Sequence, residues 1–166
     1  MTAAATAHTA ADIIAAARRY IGSPLRHQGR FRALDCVGLV LAVADDLGLV
    51  DVHGKPIKRA DYANYPAQPV DDEVQREIAA RLEVVATGRD LPSHPADIAE
   101  LLRVADAVTL RVPLIPCHAG IVSTVAGKPG LIHAYSTARK VIEHRFDAAW
   151  LRRIAGVFRF PGILSA

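Results

Sequence analysis

The stretch Leu34-Asp35-Cys36-Val37-Gly38-Leu39-Val40 decides the fold, because it opens an apolar helical pattern that ends at Gly48. A loop rich in Gly, Pro and Arg precedes it, so we expect Cys36 on the first turn of a largely buried helix. Unpaired N–H groups and the helix dipole favour negative charge at that position, which predicts a lowered pKa for the thiol. The alternative is that Cys36 is simply a small buried residue, as most lone cysteines are.

Length and composition predict a single domain covering residues 1–166, with a flexible start over residues 1–8. The net charge of +3 is dispersed and too weak to indicate nucleic acid as a partner. Two cysteines do not make a disulfide framework. The first residues lack the features of a signal peptide, and no apolar run approaches the length of a membrane span. We therefore expect synthesis in the cytoplasm and no membrane insertion.

The order of periodic segments predicts an α+β domain in which helices precede a meander of short strands. The helix that begins at Cys36 should pack on an antiparallel sheet of about five strands. Residues 51–104 are interpreted as a helical insertion in which nothing suggests chemistry. The first predicted helix is capped by Thr9 or Asp12 and runs to Ile21, the next three cover 36–47, 71–85 and 96–104, and Asp147 caps a short turn of helix through Leu151. The predicted strands cover 107–112, 118–123, 131–135, 140–144 and 156–160, with a turn at 127–130.

Two histidines give Cys36 possible partners. A nucleophilic cysteine needs a base within reach, and the base needs a group that orients it. His118 begins one predicted strand and His133 lies in the next, so an antiparallel hairpin brings both rings to one patch. The alternative is a pair of hydrogen-bonded core histidines.

A metal site is a further possibility, but its spacing matches no compact zinc motif. It would use Cys117, His118, His133 and His144.

At this point the sequence resembles the NlpC/P60 cysteine peptidases. Residues 20–29, YIGSPLRHQG, followed by LDCVGLV at 34–40, are similar to that family's G-T-P-Y and D-C-x-G-L/F-V segments. His118-Ala119-Gly120-Ile121-Val122 looks like its H-x-G-I strand, and Ile132-His133-Ala134 looks like the I-H-A strand that follows. The loop Arg26–Gly29 and the ending at 156–161 are similar to the branch encoded by bacteriophages and tail-like particles.

The resemblance implies a papain-like fold and hydrolysis of amide bonds in peptidoglycan stem peptides, commonly between D-γ-glutamate and a diamino acid. By motif, Cys36 is the nucleophile, His118 is the base, and His133 orients the base. Asp35 is expected to have a structural role, and no metal or organic cofactor is implied.

For substrate binding, the sequence predicts the basic loop Arg26, His27 and Gln28, together with Tyr135. Loop arginines can hold carboxylates of the substrate. Leu25 stands where the family usually has a tyrosine whose hydroxyl lies near the nucleophile. His27, Gln28 or Tyr135 are alternative sources of that missing group.

Two functions follow from the resemblance. The first is a phage-tail-associated peptidase, carried in a virion or tail-like particle with tail-tip or baseplate proteins as partners, which acts on the host wall. The second is a tail-tip assembly or connector subunit that keeps the peptidase fold with weak or no catalysis. Leu25 and the helical middle segment motivate the second.

Overall fold

The structure is a computed structural model that describes residues 7–164. It is an α+β fold of five α-helices and six strands within that range. The helices are α1 Ala10–Arg18, α2 Cys36–Asp46, α3 Glu73–Ala79, α4 Pro95–Leu101 and α5 Ala148–Leu151. The strands are β1 Glu83–Thr87, β2 Ala107–Arg111, β3 Pro116–Val125, β4 Lys128–Tyr135, β5 Lys140–Arg145 and β6 Ile154–Arg159.

All six strands form one sheet in the order β1-β6-β2-β3-β4-β5, and every neighbouring pair is antiparallel. Strands β2 to β5 are the predicted meander. The chain then returns through α5 so that β6 pairs with the outer side of β2. The α+β prediction is confirmed, with six strands in place of five.

The additional strand corrects the prediction that a helix beginning at Asp71 runs through Val85. Helix α3 ends at Ala79, and residues 83–87 instead pair with β6, with Glu83 opposite Arg159. The spacing of apolar residues through Val85 fits a helix, but the edge of β6 offers a ladder of backbone hydrogen bonds to this segment. Tertiary pairing therefore overrides the local pattern. The middle segment 51–104 is consequently not purely helical.

A smaller correction concerns the β3–β4 turn, which was predicted over residues 127–130. The turn residues are Ala126 and Gly127, both with positive φ, and β4 already begins at Lys128. Two consecutive positive φ angles match the twist of a tight antiparallel hairpin.

Helix α2 is the centre of the core. Its residues from Val37 to Ala44 are all buried, so it is apolar on every side, as a helix enclosed by other elements must be. Helix α1 packs beside it and begins in a capping box made by Thr9 and Asp12. Gly48, with φ 64°, follows the last turn of α2 in the left-handed conformation predicted for it.

The core has two parts, one on each face of the sheet. The first includes α1, α2 and residues such as Ala119, Ile121 and Ile132. The second is formed by the other face of the sheet with α4 and α5. The predicted flexible start, 1–8, lies largely outside the described residues. No helix within residues 7–164 is long and apolar enough to cross a bilayer.

Candidate active site

Cys36 is the first residue of α2, and Asp35 caps the helix as its N-cap residue. The Asp35 side chain accepts a hydrogen bond from the Gly38 N–H at 2.7 Å. This placement agrees with the predicted helix start and with the structural role expected of Asp35. Aspartate is among the residues most favoured at an N-cap, because its carboxylate satisfies an unpaired N–H of the first turn.

The Asp35 carboxylate is also the centre of a network that fixes the loop before Cys36. One oxygen accepts from the Gln28 backbone N–H at 2.7 Å and from the Tyr65 hydroxyl, and the other is 3.1 Å from Arg30 Nη1. Arg30 Nη2 in turn donates to the Tyr65 hydroxyl at 2.8 Å. The loop before Cys36 and the segment that bears Tyr65 are therefore both connected to one buried carboxylate.

Tyr65 is a site residue that the sequence analysis missed, since it lies in the segment where no chemistry was expected. It is buried and stacks on Tyr62 with ring centroids 4.4 Å apart. The only local signal was a pair of tyrosines in an otherwise polar, proline-rich loop. Leu25, in the position of the family tyrosine, instead packs against the hydrophobic core.

The thiol of Cys36 is neutral at rest, contrary to the lowered pKa predicted from its helix position. Burial, together with the charge of Asp35, raises the pKa of Cys36 to about 12. The backbone N–H groups of Ala119 and Val37 face the thiol and partly oppose this rise. The prediction failed because burial disfavours the thiolate, and because the capping carboxylate adds a negative charge at the helix end where the thiolate would form.

His118 lies on β3, one residue before Ala119, whose backbone faces the Cys36 thiol. Burial lowers its pKa to about 4; the charge of Arg153 adds to this, and that of Asp35 opposes it. The strand register between β2 and β3 shifts at Leu110 and Arg111, opposite this end of β3. Such irregularities re-aim side chains beside active sites.

No hydrogen bond joins Cys36 Sγ to a His118 ring nitrogen among residues 7–164. Helix α2 packs on β3, so Cys36 lies against the strand that bears His118, but the two side chains are not hydrogen-bonded. Catalytic hydrogen bonds in ligand-free sites are often long and tighten only when substrate binds.

His133 on β4 is fully buried, and its Nδ1 lies 2.7 Å from His118 Nε2. The predicted convergence of the two rings is therefore present. Gly120 faces this pair, since a Cβ there would lie 3.1 Å from His133 Cβ and 2.6 Å from Leu131 Cδ1. Burial, then the neighbouring histidines, lower the pKa of His133 to about 2, so it is neutral at pH 7.

A third histidine, His144 on β5, continues the series of hydrogen-bonded rings beyond His133. Its Nε2 is 2.9 Å from His133 Nε2, and its Nδ1 is 2.7 Å from the backbone oxygen of Arg145. From the sequence, His144 is predicted only as a possible metal ligand. Its place on a predicted strand next to that of His133 was the signal that could have assigned it here.

Aromatic side chains enclose the histidines. Tyr135 stacks on His133 at 5.1 Å, and Trp150 meets the same ring edge-on at 5.0 Å. Tyr135 thus lies at the site, where it was predicted. Trp150 was missed because it lies on α5, and no pattern in the sequence indicates that α5 packs against the histidine on β4.

The other predicted substrate residues lie on the loop before Cys36. His27 Nε2 and Gln28 Nε2 are 3.0 and 2.9 Å from the Tyr65 backbone oxygen, so both side chains hold the loop in place. The Arg26 side chain is exposed and makes no hydrogen bond within the described residues. It is the member of this group whose charge is free to meet a ligand.

The loop residues 26–33 line an open concavity of about 730 Å³. Neither Cys36 nor His118, His133 or His144 contributes to its lining. No group of three or more His, Cys, Asp or Glu side chains in the described part of the chain is arranged to hold a metal ion. The histidine nitrogens instead meet one another directly.

Comparison with known proteins supports the fold assignment. No protein-family profile and no curated protein matches the sequence. Among solved structures, an NlpC/P60 family protein from Bacillus cereus ATCC 10987 matches with a TM-score of 0.62 at 16% identity, covering 94% of this chain and 41% of that one. The chain therefore spans less than half the length of that protein.

Two further structures match over nearly their whole length. The NlpC/P60 domain of the peptidoglycan hydrolase SagA gives a TM-score of 0.53 at 19% identity, covering 92% of this chain and 99% of that one. An N-acetylmuramoyl-L-alanine amidase from Bacteroides uniformis ATCC 8492 gives 0.50 at 16% identity, with coverage of 91% and 98%. The fold of this chain is the NlpC/P60 fold.

Proposed function

We propose that this chain is a cysteine peptidase that hydrolyses amide bonds of peptidoglycan stem peptides. The observation that carries the proposal is the placement of Cys36 at the start of a buried helix, against the strand that bears His118, with His133 bonded to His118 at 2.7 Å. Nucleophile, base and orienting group are the three parts that such chemistry needs. The names of two structural neighbours, a peptidoglycan hydrolase and an amidase of the same polymer, support the substrate class.

The reaction begins from a neutral pair, because the pKa of Cys36 is raised to about 12 and that of His118 is lowered to about 4. As Sγ attacks the amide carbonyl carbon, the thiol proton passes to His118. The ring nitrogen that receives it is Nδ1, since Nε2 is bonded to His133.

The tetrahedral oxyanion is held by the Cys36 backbone N–H, one of the donors at a helix start that have no intrahelical acceptor. His118 then gives its proton to the leaving amine, and a thioester to Cys36 remains. Water, deprotonated by His118, attacks the thioester carbon, and the C–S bond breaks to release the new carboxyl group. His118 returns the proton to Sγ, which restores the neutral pair. Arg26 holds a carboxylate of the stem peptide during these steps.

The bond cleaved is the one between D-γ-glutamate and the diamino acid, as the resemblance implies. Incubation of purified protein with a defined muropeptide, followed by mass spectrometry, separates this outcome from amidase action. Cleavage after D-glutamate leaves a dipeptide on the sugar, whereas an amidase leaves the sugar without peptide. Cys36→Ala is expected to abolish either product, and activity that survives this change would refute the assigned mechanism.

We place the enzyme in a phage tail or tail-like particle, with tail-tip or baseplate proteins as partners. The support is the similarity of the Arg26–Gly29 loop and the 156–161 ending to that branch of the family. Particles with Cys36→Ser are expected to assemble normally but to fail in wall penetration.

A second function, a tail-tip connector with little catalysis, is favoured by two observations. Leu25 supplies no hydroxyl to the site, and Cys36 is not hydrogen-bonded to His118. Under this proposal, Cys36→Ser particles assemble and infect like the wild type. The same particle experiment therefore separates the two functions.

A further inference from the structure

Three imidazoles and one backbone carbonyl form a continuous hydrogen-bonded chain through the site. It runs from His118 Nε2 to His133 Nδ1, from His133 Nε2 to His144 Nε2, and from His144 Nδ1 to the oxygen of Arg145. The three contacts are 2.7, 2.9 and 2.7 Å long. Only the first two histidines belong to the predicted catalytic set.

The carbonyl at the end of this chain has a fixed polarity, because a carbonyl oxygen can only accept. His144 must therefore carry a proton on Nδ1 and donate it to Arg145. In a neutral ring the other nitrogen is then an acceptor, so Nε2 of His144 must receive the hydrogen bond from His133.

The same rule now fixes the remaining two rings. His133 carries its proton on Nε2, which leaves its Nδ1 as an acceptor for His118. His118 therefore carries its proton on Nε2 and presents an unprotonated Nδ1. That is the nitrogen that a general base must offer to the Cys36 thiol.

From this geometry we infer that His144 is a positioning residue which, anchored on the Arg145 carbonyl, sets the tautomers of His133 and His118 so that His118 Nδ1 is free to accept a proton. The inference rests on the proposed function for its role in catalysis, but the tautomers can be measured without activity. It assigns a function to a histidine on β5 that touches neither the nucleophile nor the base.

The surroundings of His144 are consistent with a held ring. Trp150 lies 5.2 Å from it, and the same indole meets His133 at 5.0 Å, so one side chain packs against both members of the bond. The guanidinium of Arg153, two residues after the end of α5, lies 4.9 Å from the centroid of the same indole. His144 itself is only partly buried, yet both its ring nitrogens have partners.

The direction of the hydrogen bonds between the histidines can be tested by replacing His144 with a side chain that can only donate to His133 Nε2, or with one that can still accept from it. In His144→Gln, the amide oxygen can still accept from His133 Nε2, so the tautomers should persist. In His144→Lys, the side chain can only donate, which forces His133 Nε2 to accept and reverses both rings. The same two substitutions at His53, an exposed loop histidine outside the chain of hydrogen bonds, provide matched controls.

The primary readout is the protonation of each ring nitrogen, measured by long-range ¹H–¹⁵N correlation spectra of protein labelled on histidine. In the wild type we expect protons on Nε2 of His118 and His133 and on Nδ1 of His144. A wild-type His118 protonated on Nδ1 would overturn the inference, and this result does not depend on whether the Lys variant folds. A His118 tautomer unchanged in a folded His144→Lys protein would overturn it as well.

Kinetics on the muropeptide supply the second readout. His144→Lys should lower kcat by about a hundredfold, the size of a general-base contribution, with little change in KM. His144→Gln should stay within a few-fold of the wild type, and both His53 variants should match it. Equal losses in the Gln and Lys variants would indicate a merely structural role and refute the inference. If the spectra agree but no variant or wild type cleaves the muropeptide, the proposed function fails while the tautomer assignment stands.

Discussion

The hydroxyl of Tyr65 should stabilise the protein by binding the Asp35 carboxylate, and Tyr65→Phe removes this hydroxyl together with its hydrogen bonds to Asp35 and Arg30. The hydroxyl donates to Asp35 and accepts from Arg30, in a position where the tyrosine is 7% exposed. A hydrogen bond to a charged group contributes about 1.5–3 kcal/mol, so we expect a loss of about 2 kcal/mol in the free energy of unfolding. For a domain of this size, that loss lowers Tm by about 4–8 °C.

Tyr62→Phe is a matched control in the same ring stack. The Tyr62 hydroxyl is buried and has no hydrogen-bond partner among the described residues. Burial and the nearby Glu73 carboxyl raise its pKa, but the two groups do not meet hydrogen-bond geometry. Removing an unsatisfied hydroxyl relieves a desolvation cost, so stability should stay constant or rise by up to about 1 kcal/mol.

Urea and thermal unfolding of both variants measure the difference directly. Because Asp35 also caps the nucleophile helix, Tyr65→Phe should reduce kcat by a few-fold, whereas Tyr62→Phe should not. If the two substitutions change the free energy of unfolding equally, the carboxylate network does not anchor the nucleophile loop, and the reasoning is refuted.

Two further predictions concern packing and pH. In Gly38→Ala the new Cβ would lie 2.1 Å from the Gly29 backbone oxygen, so a strain of about 3 kcal/mol outweighs a gain of about 1 kcal/mol in helix propensity. Urea unfolding should therefore show a net loss of about 2 kcal/mol in the free energy of unfolding. An unchanged or higher stability would contradict the close approach of the two backbones. The pKa of His118 is about 4 in the folded protein and near 6.5 when unfolded, so the unfolded chain binds more protons between these values. The free energy of unfolding should therefore fall as the pH drops from about 6.5 to about 4. His118→Gln should reduce the slope of this free energy against pH in the same window, measured by urea unfolding. An equal slope in both proteins would show that His118 is not buried as a neutral ring.

The sequence by itself determined the local parts of the site. The apolar run after Asp35, the capping aspartate and Gly48 define α2 without reference to any distant residue, because propensity, capping and turn conformation act over a few positions. Two histidines on consecutive strands were enough to predict that their rings converge, since antiparallel neighbours lie side by side. The resemblance from which the fold was predicted depends on the same features.

Only the tertiary structure decided the contacts between segments distant in the chain. Strand β1 depends on the edge of β6, about 70 positions away, and the Asp35 network depends on Tyr65 from the loop thought to lack chemistry. The pKa of the Cys36 thiol depends on how deeply the start of α2 is buried and on where the Asp35 charge lies. The tautomers of the histidines depend on the Arg145 carbonyl at the end of a bonded chain. Burial, charge separation and hydrogen-bond polarity are properties of three-dimensional placement, which periodicity and spacing do not encode.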